Sequence, residues 1–290
     1  MSPTGILYIY QGIHGLAYGM LLFLLASGLT MIFGMMGILN IAHASFFMLA
    51  AYFSYTIVSL TDNFWLGLLI APLMAAAFGV LVERFLLRRV HSRGHIAELL
   101  VTLGVAMIIL EGVKAGWGTE SLVVKIPESL DGLIQIGTFS YPVYRVFVIG
   151  LALSVFIIMG VVLYKTRLGM IIRAAVSDSD MVNALGINTS LLFMGIFGFG
   201  TWLAGVAGVA AGPLLTVFPG MADMMGMDAF VVVVVGGFGS LRGAFIVALL
   251  LGELNAYGIQ FIPRLAPILM FAFMAIVLSF RPMGLFGERE

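Results

Sequence analysis

Cysteine is absent from this 290-residue chain, and charge is scarce: Asp, Glu, Lys and Arg make up 10% of it, 14 cations against 14 acids. The first absence excludes a disulfide framework and a thiolate metal site, and leaves the redox compartment unread. The second excludes an ordinary soluble domain, in which about a quarter of residues are charged. No G-x-x-x-x-G-K-[ST] run occurs, so the chain does not bind ATP through a Walker A loop. No basic n-region with a small-residue cleavage site opens it, so no removable signal peptide is expected. Strict apolar/polar alternation is missing too, which excludes a closed β-barrel. No catalytic cluster of nucleophile, acid and base can be assembled, and no metal site. Net charge of zero says nothing about acidic partners, and no nucleic-acid partner is expected.

What is present is apolar: 62% hydrophobic residues, with 36 Gly, 23 Phe and 19 Met. A hydrocarbon core of about 30 Å takes about 20 apolar residues per helix. The expected fold class is therefore an all-α integral membrane protein of about eight transmembrane helices, a single domain over 1–290. The spans read Gly12 to Phe33, Phe46 to Leu60, Phe64 to Leu87, Ile96 to Gly116, Val146 to Tyr164, Leu191 to Thr216, Ala244 to Phe261 and Pro267 to Phe280. Small residues recur along them, where helix backbones can approach closely. Trp117 to Tyr144 reads as an ordered outer loop.

Two intervals do not fit a simple span. Gly34 to Ser45 breaks the first apolar run but is too short and apolar for a solvated loop. Asp228 to Val235, with five valines, is cut off by Gly236-Gly237-Phe238-Gly239-Ser240-Leu241-Arg242-Gly243. Eight helical residues reach about 12 Å, less than half the hydrocarbon. Discontinuous or re-entrant segments are expected near 34–45 and 228–243. Non-helical backbone at membrane depth is tolerated only where protein buries it or where it lines a water-filled cavity. Asn40, His43, Ser45, Gly236, Gly237 and Gly239 are thus the candidate solute pathway. Asn40 suits capping of a broken helix equally well, and His43, with no carboxylate nearby, suits a structural role. Both breaks read Gly-x-Leu-x-x-Ala, a loose internal match that chance also explains; paired glycine interruptions mark the pathway in many transporters.

Intramembrane acids default to functional candidates. Glu98 lies beside His95 and Arg93; Glu111 has Lys114 one turn on and suits packing; Glu253 is a possible gate or helix contact. Cations sort by side: Lys114, Lys125, Arg145 and Arg264 fall on one, and the remaining ten of 14 on the other. The positive-inside rule then puts the N-terminus outside and the C-terminus in the cytoplasm.

The longest polar interval with a helical pattern runs from Tyr164 to Asn188, with three cations and two Asp that cannot lie in hydrocarbon. Ser177 and Asp178 are N-cap types, Met181, Val182, Ala184 and Leu185 share a helical face, and Gly186 suits a C′ stop. A short helix on the membrane surface is expected.

Arg173-Ala174-Ala175, followed after a polar spacer by Ala184-Leu185-Gly186-Ile187, resembles the coupling loop of ABC-transporter permeases. Phe33-Gly34, Asn40-Ile41-Ala42-His43 and Ser45 through Tyr52 are similar to the signature of Liv-type permeases of high-affinity branched-chain amino-acid ABC importers. Val235 through Ala244 and Arg281-Pro282-Met283-Gly284-Leu285-Phe286-Gly287 resemble that family as well. Ala44 departs from it, standing where the family commonly has Gly. The resemblance implies an inner-membrane subunit that is no enzyme and holds no cofactor, ATP being bound by partner ATPases. It implies a second related permease, two ATPase subunits and a periplasmic binding protein as partners, and alternating access as the mechanism. Arg173, Ala174, Ala184, Leu185 and Gly186, within a cytoplasmic loop 165–190, become the ATPase contact. Urea and short amides remain alternative solutes, and an ion-coupled secondary transporter is the alternative class.

Overall fold

The computed structural model describes residues 3–136 and 139–287. Its helices are α1 (Pro3–Met36), α2 (His43–Thr61), α3 (Phe64–Val82), α4 (Arg88–Val90), α5 (His95–Trp117), α6 (Val143–Lys165), α7 (Arg167–Ser177), α8 (Ser179–Ala184), α9 (Thr189–Leu215), α10 (Met221–Gly236), α11 (Leu241–Phe261) and α12 (Ala266–Phe280). A π-helical stretch, Glu83–Leu87, joins α3 to α4. The chain is an all-α membrane protein. Among the described residues seven helices are long and apolar enough to cross a bilayer, the α3–α4 run counting as one. The shorter α10 and α12, at 16 and 15 residues, complete the bundle.

Helix starts are set by side chains. Asn63 accepts from the Trp65 and Leu66 amides, Thr166 from Gly169, Asp178 from Met181, Asn188 from Leu191 and Ser240 from Gly243, each satisfying an otherwise orphaned donor. That is why the expected span boundaries fall within a few residues of the observed ones. The larger difference is at α1, which begins nine residues before the expected Gly12 (12 − 3).

One expectation fails in detail. The apolar run before the second glycine break is no eight-residue half-helix but the end of 16-residue α10, about 24 Å long. Its first turns, Met221 to Met227, leave no apolar run in the sequence because Asp223 and Asp228 interrupt the pattern. The discontinuity shrinks to Gly237–Ser240. The expected outer loop also holds structure: β1 (Leu133–Ile136) and β2 (Phe139–Pro142) form an antiparallel hairpin, and Leu122 bridges to Val217.

Helix α1 is the hub, packed on α6, α9, α10 and α11, with Leu22 to Ala26 fully buried. Glycine sets these contacts. A Cβ on Gly15 would lie 2.9 Å from the Glu253 Cα of α11, and one on Gly252 would lie 2.6 Å from the Gly19 Cα of α1. Gly205 of α9 sits against the Pro72 backbone of α3, and Gly208 against the Phe47 carbonyl of α2. By contrast α3, α5 and α6 keep apolar outer faces, among them Leu69, Ile108 and Ile158, as a helix against lipid does.

The sorting of charge by side has a geometric counterpart. His91, His95, Asp178 and Pro282 border one cavity, so the ends of α3, α5, α7 and α12 that carry most cations share a face. At the opposite end Lys125 meets Asp62 at 3.6 Å, and the Trp117 indole N–H donates to the Thr56 hydroxyl at 2.7 Å.

Leucine at Gly252 or Gly208 is expected to destabilise the bundle by about 1–3 kcal/mol, the usual range for overpacking. Leucine at Gly104 or Gly160, where no atom lies within 4 Å of an added Cβ, is expected to be neutral. Thermal unfolding of the detergent-purified variants compares the two pairs.

Candidate functional site

The first break is a re-entrant segment. Helix α1 ends at Met36, and Gly37, with φ +66°, turns the chain while its N–H bonds the Phe33 carbonyl at 2.8 Å. Only glycine takes that conformation cheaply. The chain then runs back beside α1 and α5: the Ile41 N–H reaches the Thr102 hydroxyl at 3.4 Å, and His43 Nε2 lies 3.1 Å from the Leu25 carbonyl. Leu25 precedes Met36 by eleven residues (36 − 25), about 16 Å of helix, so α2 starts well inside the bundle.

The backbone at this start is satisfied without a side-chain cap. His43 N–H donates to the Asn40 carbonyl at 3.1 Å, and the Ser45 and Phe46 amides to Ala42 at 2.9 and 3.1 Å. The capping role open to the Asn40 side chain is therefore not the one it plays. It is 2% exposed, and neither its amide nitrogen nor its oxygen has a partner among the described residues. His43, equally buried, packs its ring into the space left by Gly28, where a Cβ would lie 2.9 Å from the ring. Ser45 is buried as well.

At the second break, Gly236 and Gly243 bring α10 and α11 into backbone contact. Gly237 and Gly239 take φ of +96° and +78°. The segment after α12 closes over the turn: Leu285 N–H donates to the Val235 carbonyl at 2.8 Å and Phe286 N–H to Gly236 at 3.2 Å. The Arg281–Gly287 motif thus supplies partners to carbonyls that the end of α10 would leave orphaned. Gly236 and Gly237 are buried under it, whereas Gly239 is exposed.

The two breaks touch. A Cβ on Gly239 would lie 2.9 Å from the Gly34 Cα, and the Phe33 and Phe238 rings stand 4.2 Å apart. Two adjoining cavities open around them. One of about 450 Å³ is bordered by Thr30, Gly34, Tyr164, Arg173 and Gly239; the other, about 940 Å³, by Gly37, His91, His95, Asp178 and Met283. Both reach α7, and the larger also reaches the start of α8 at Ser179. The pathway candidates Asn40, His43 and Ser45 border neither.

The polar interval folds as two helices. In α7, Ile172 and Ala175 face inward while Ala174 is exposed, and the Arg173 guanidinium donates to the Leu163 carbonyl and lies 5.9 Å from the Tyr164 ring centre. In α8 only Val182 is buried; Met181 and Leu185 are 58% and 73% exposed. Gly186, φ +85°, closes a Schellman motif with bonds Gly186 N–H to Asn183 (3.0 Å) and Ile187 N–H to Val182 (3.3 Å). Ala184, Leu185 and Gly186 are presented outward together.

Among the acids, Glu98 is 2% exposed and held by two imidazoles, His91 Nδ1 at 2.6 Å and His95 Nδ1 at 3.3 Å. His91 was not anticipated as its partner because the 3₁₀ turn His91–Arg93 that folds it back is invisible to helical spacing. Glu111 and Lys114 pair at 2.8 Å on the surface, and Glu253 lies against Gly15 as a helix contact. Asp228 went unremarked: it stands in α10 and accepts the Tyr18 hydroxyl of α1 at 2.6 Å. A lone acid beside five valines is the signal that the sequence offers for it. Among the described residues no three potential ligands gather as a metal site.

A bundle of apolar helices with two touching breaks and a capped surface loop defines a multi-pass membrane protein of the transport class. The chain belongs to the family described as branched-chain amino acid transport system / permease component, which matches residues 13–278. It is 30% identical over 305 residues to the high-affinity branched-chain amino acid transport system permease protein BraD of Pseudomonas aeruginosa, covering 98% of this chain and 97% of that one. It is 30% identical over 312 residues to LivH of Escherichia coli K12, a permease protein of the same description, covering 100% and 99%. A probable branched-chain amino acid transport permease LivH of Methanocaldococcus jannaschii is 26% identical over 251 residues, 81% of this chain and 76% of the relative. No solved structure matches it significantly.

Single cysteines test the site's accessibility. Phe238→Cys, at an exposed position on both cavities, is expected to react rapidly with a polar thiol reagent in the detergent-purified protein, and Asn40→Cys slowly. The native chain has no cysteine to obscure the comparison.

Proposed function

We propose that this chain is a permease subunit of an ATP-driven ABC importer that carries branched-chain amino acids (leucine, isoleucine and valine) across the inner membrane by alternating access. Urea and short amides are the alternative solutes. Its partners are a second related permease, two ATPase subunits that bind the nucleotide, and a periplasmic binding protein; its N-terminus lies outside and its C-terminus in the cytoplasm.

The observation that carries this reading is α8. A six-residue helix held by an Asp178 cap and a Gly186 Schellman turn presents Met181 and Leu185 to solvent, with one buried residue beneath. Exposed apolar residues on a rigid, capped element suit docking into another protein's groove. The neighbouring α7 ties that element to α6 and α1, and both line the larger cavity at the breaks. Motion imposed on α8 therefore has a short mechanical route to the re-entrant segment. Asn40, with two unpartnered buried amide atoms, is the polar group best suited to meet a solute when the breaks separate.

Asp228 favours a second reading, an ion-coupled carrier, since no cation pairs with it among the described residues. Reconstitution decides between the two: co-purify the tagged chain with ATPases encoded beside it, and measure solute uptake into proteoliposomes with ATP and a loaded binding protein, and separately with an ion gradient alone. ATP-dependent uptake of leucine supports the importer; gradient-driven uptake by the chain alone overturns it.

Within the assembly, Leu185→Asp is expected to abolish uptake while leaving membrane insertion and thermal stability unchanged, because the side chain is 73% exposed. Gly186→Val forces a β-branched residue into left-handed backbone at a cost of about 1–2 kcal/mol. It is expected to reduce uptake and loosen α8, read as faster amide exchange over 179–187.

A further inference from the structure

The smaller cavity has a chemistry of its own. It lies between α1, α6, α7 and the α10–α11 turn, with Met31, Met159 and Leu163 as apolar wall. At its mouth Tyr164 is flanked by two guanidiniums, Arg173 at 5.9 Å and Arg242 at 5.3 Å from the ring centre. Among the described residues neither arginine forms an ion pair and no acid borders the cavity. Inside, Thr30 is 2% exposed and its hydroxyl has no partner among the described residues, whereas the nearby Ser27 and Ser240 hydroxyls are engaged, with the Leu24 carbonyl and the Gly243 N–H. A buried hydroxyl without a partner is costly and calls for one.

An occupant must therefore bring an anion for the guanidiniums, an acceptor or donor for Thr30, and an aliphatic body for the methionine and leucine wall. We infer that this cavity binds short branched aliphatic carboxylates from the side on which α7 lies, with the carboxylate on Arg173, the C2 substituent at Thr30 and the alkyl chain against Met31, Met159 and Leu163. Because no acid among the described residues lines the cavity to pair an ammonium group, 2-oxo and 2-hydroxy acids bind more tightly than the corresponding amino acids. Occupancy fastens α7, through Arg173, to α1, through Thr30. In the importer, and resting on that reading, a bound carboxylate restrains the loop that α8 presents and lowers uptake.

The binding step is tested on the full-length chain alone, so that it stands or falls independently of the importer assignment. Radiolabelled 4-methyl-2-oxopentanoate is titrated into the protein in neutral-lipid nanodiscs, with leucine, 3-methylbutylamine and palmitate as competitors. The expected result is saturable one-site binding, competed weakly by leucine and not by the amine. Arg173→Gln is expected to weaken it about tenfold or more, as loss of a charge-assisted bond does. Thr30→Val should weaken it severalfold while preserving shape. Met159→Trp, which fills the cavity and removes no polar group, should abolish it, and its unfolding midpoint checks that the fold survives. Absence of saturable binding to the wild-type chain overturns the inference, as does binding that Met159→Trp leaves intact. Loss of binding when phosphatidylglycerol replaces the neutral lipid, or displacement by palmitate alone, assigns the cavity to a lipid and overturns it as well.

Discussion

A peptide group that leaves the helical ladder inside hydrocarbon must find its partner in protein, since lipid offers none and each unsatisfied group costs several kcal/mol. The architecture of this chain follows from meeting that demand twice. At the first break the re-entrant backbone bonds within itself and to Thr102 of α5; at the second, the chain after α12 folds back so that Leu285 and Phe286 cover the end of α10. Each solution requires a helix from elsewhere in the sequence to be in place, so the breaks are stable only in the assembled bundle.

Close approach is what brings those partners within reach. Lipid supplies no hydrophobic drive between helices, so contact must come from van der Waals packing of near-bare backbones. Gly15, Gly19 and Gly252 do this between α1 and α11, Gly205 and Gly208 between α9 and its neighbours, and Gly34 with Gly239 between the two breaks. The last pair makes one structural unit of two segments about 200 residues apart in the chain. Around it the cavities, the Arg–Tyr–Arg cluster and the α7–α8 loop are contiguous, so displacement at the surface loop and rearrangement of the breaks share the same side chains.

The buried polar inventory divides by whether it is satisfied. Glu98 with His91 and His95 is a closed arrangement at the start of α5, whereas His43 is half closed, its Nε2 on the Leu25 carbonyl and its Nδ1 without a partner among the described residues. Asn40 and Thr30 are open ones, each buried with hydrogen-bonding capacity unused. Open groups beside the breaks are where a second conformation or a ligand gains most, because a partner supplied there removes a standing penalty.

Read alone, the sequence determined the class of the fold, the approximate spans, the existence of both breaks and the capped surface helix. Those features rest on apolar run length, on glycine at positive φ and on Asp, Asn, Ser and Thr caps, all of which act within a few residues. Sequence could not place His91 on Glu98, Tyr18 on Asp228, the 281–287 segment on the end of α10, or Gly34 on Gly239. Each of these joins residues from different elements, and in a chain whose helices are apolar nearly all round, periodicity carries little information about which face meets which neighbour. Only tertiary packing decided that the side chain of Asn40 is left without a partner, that Arg173 turns toward a cavity, and that the two breaks are one place.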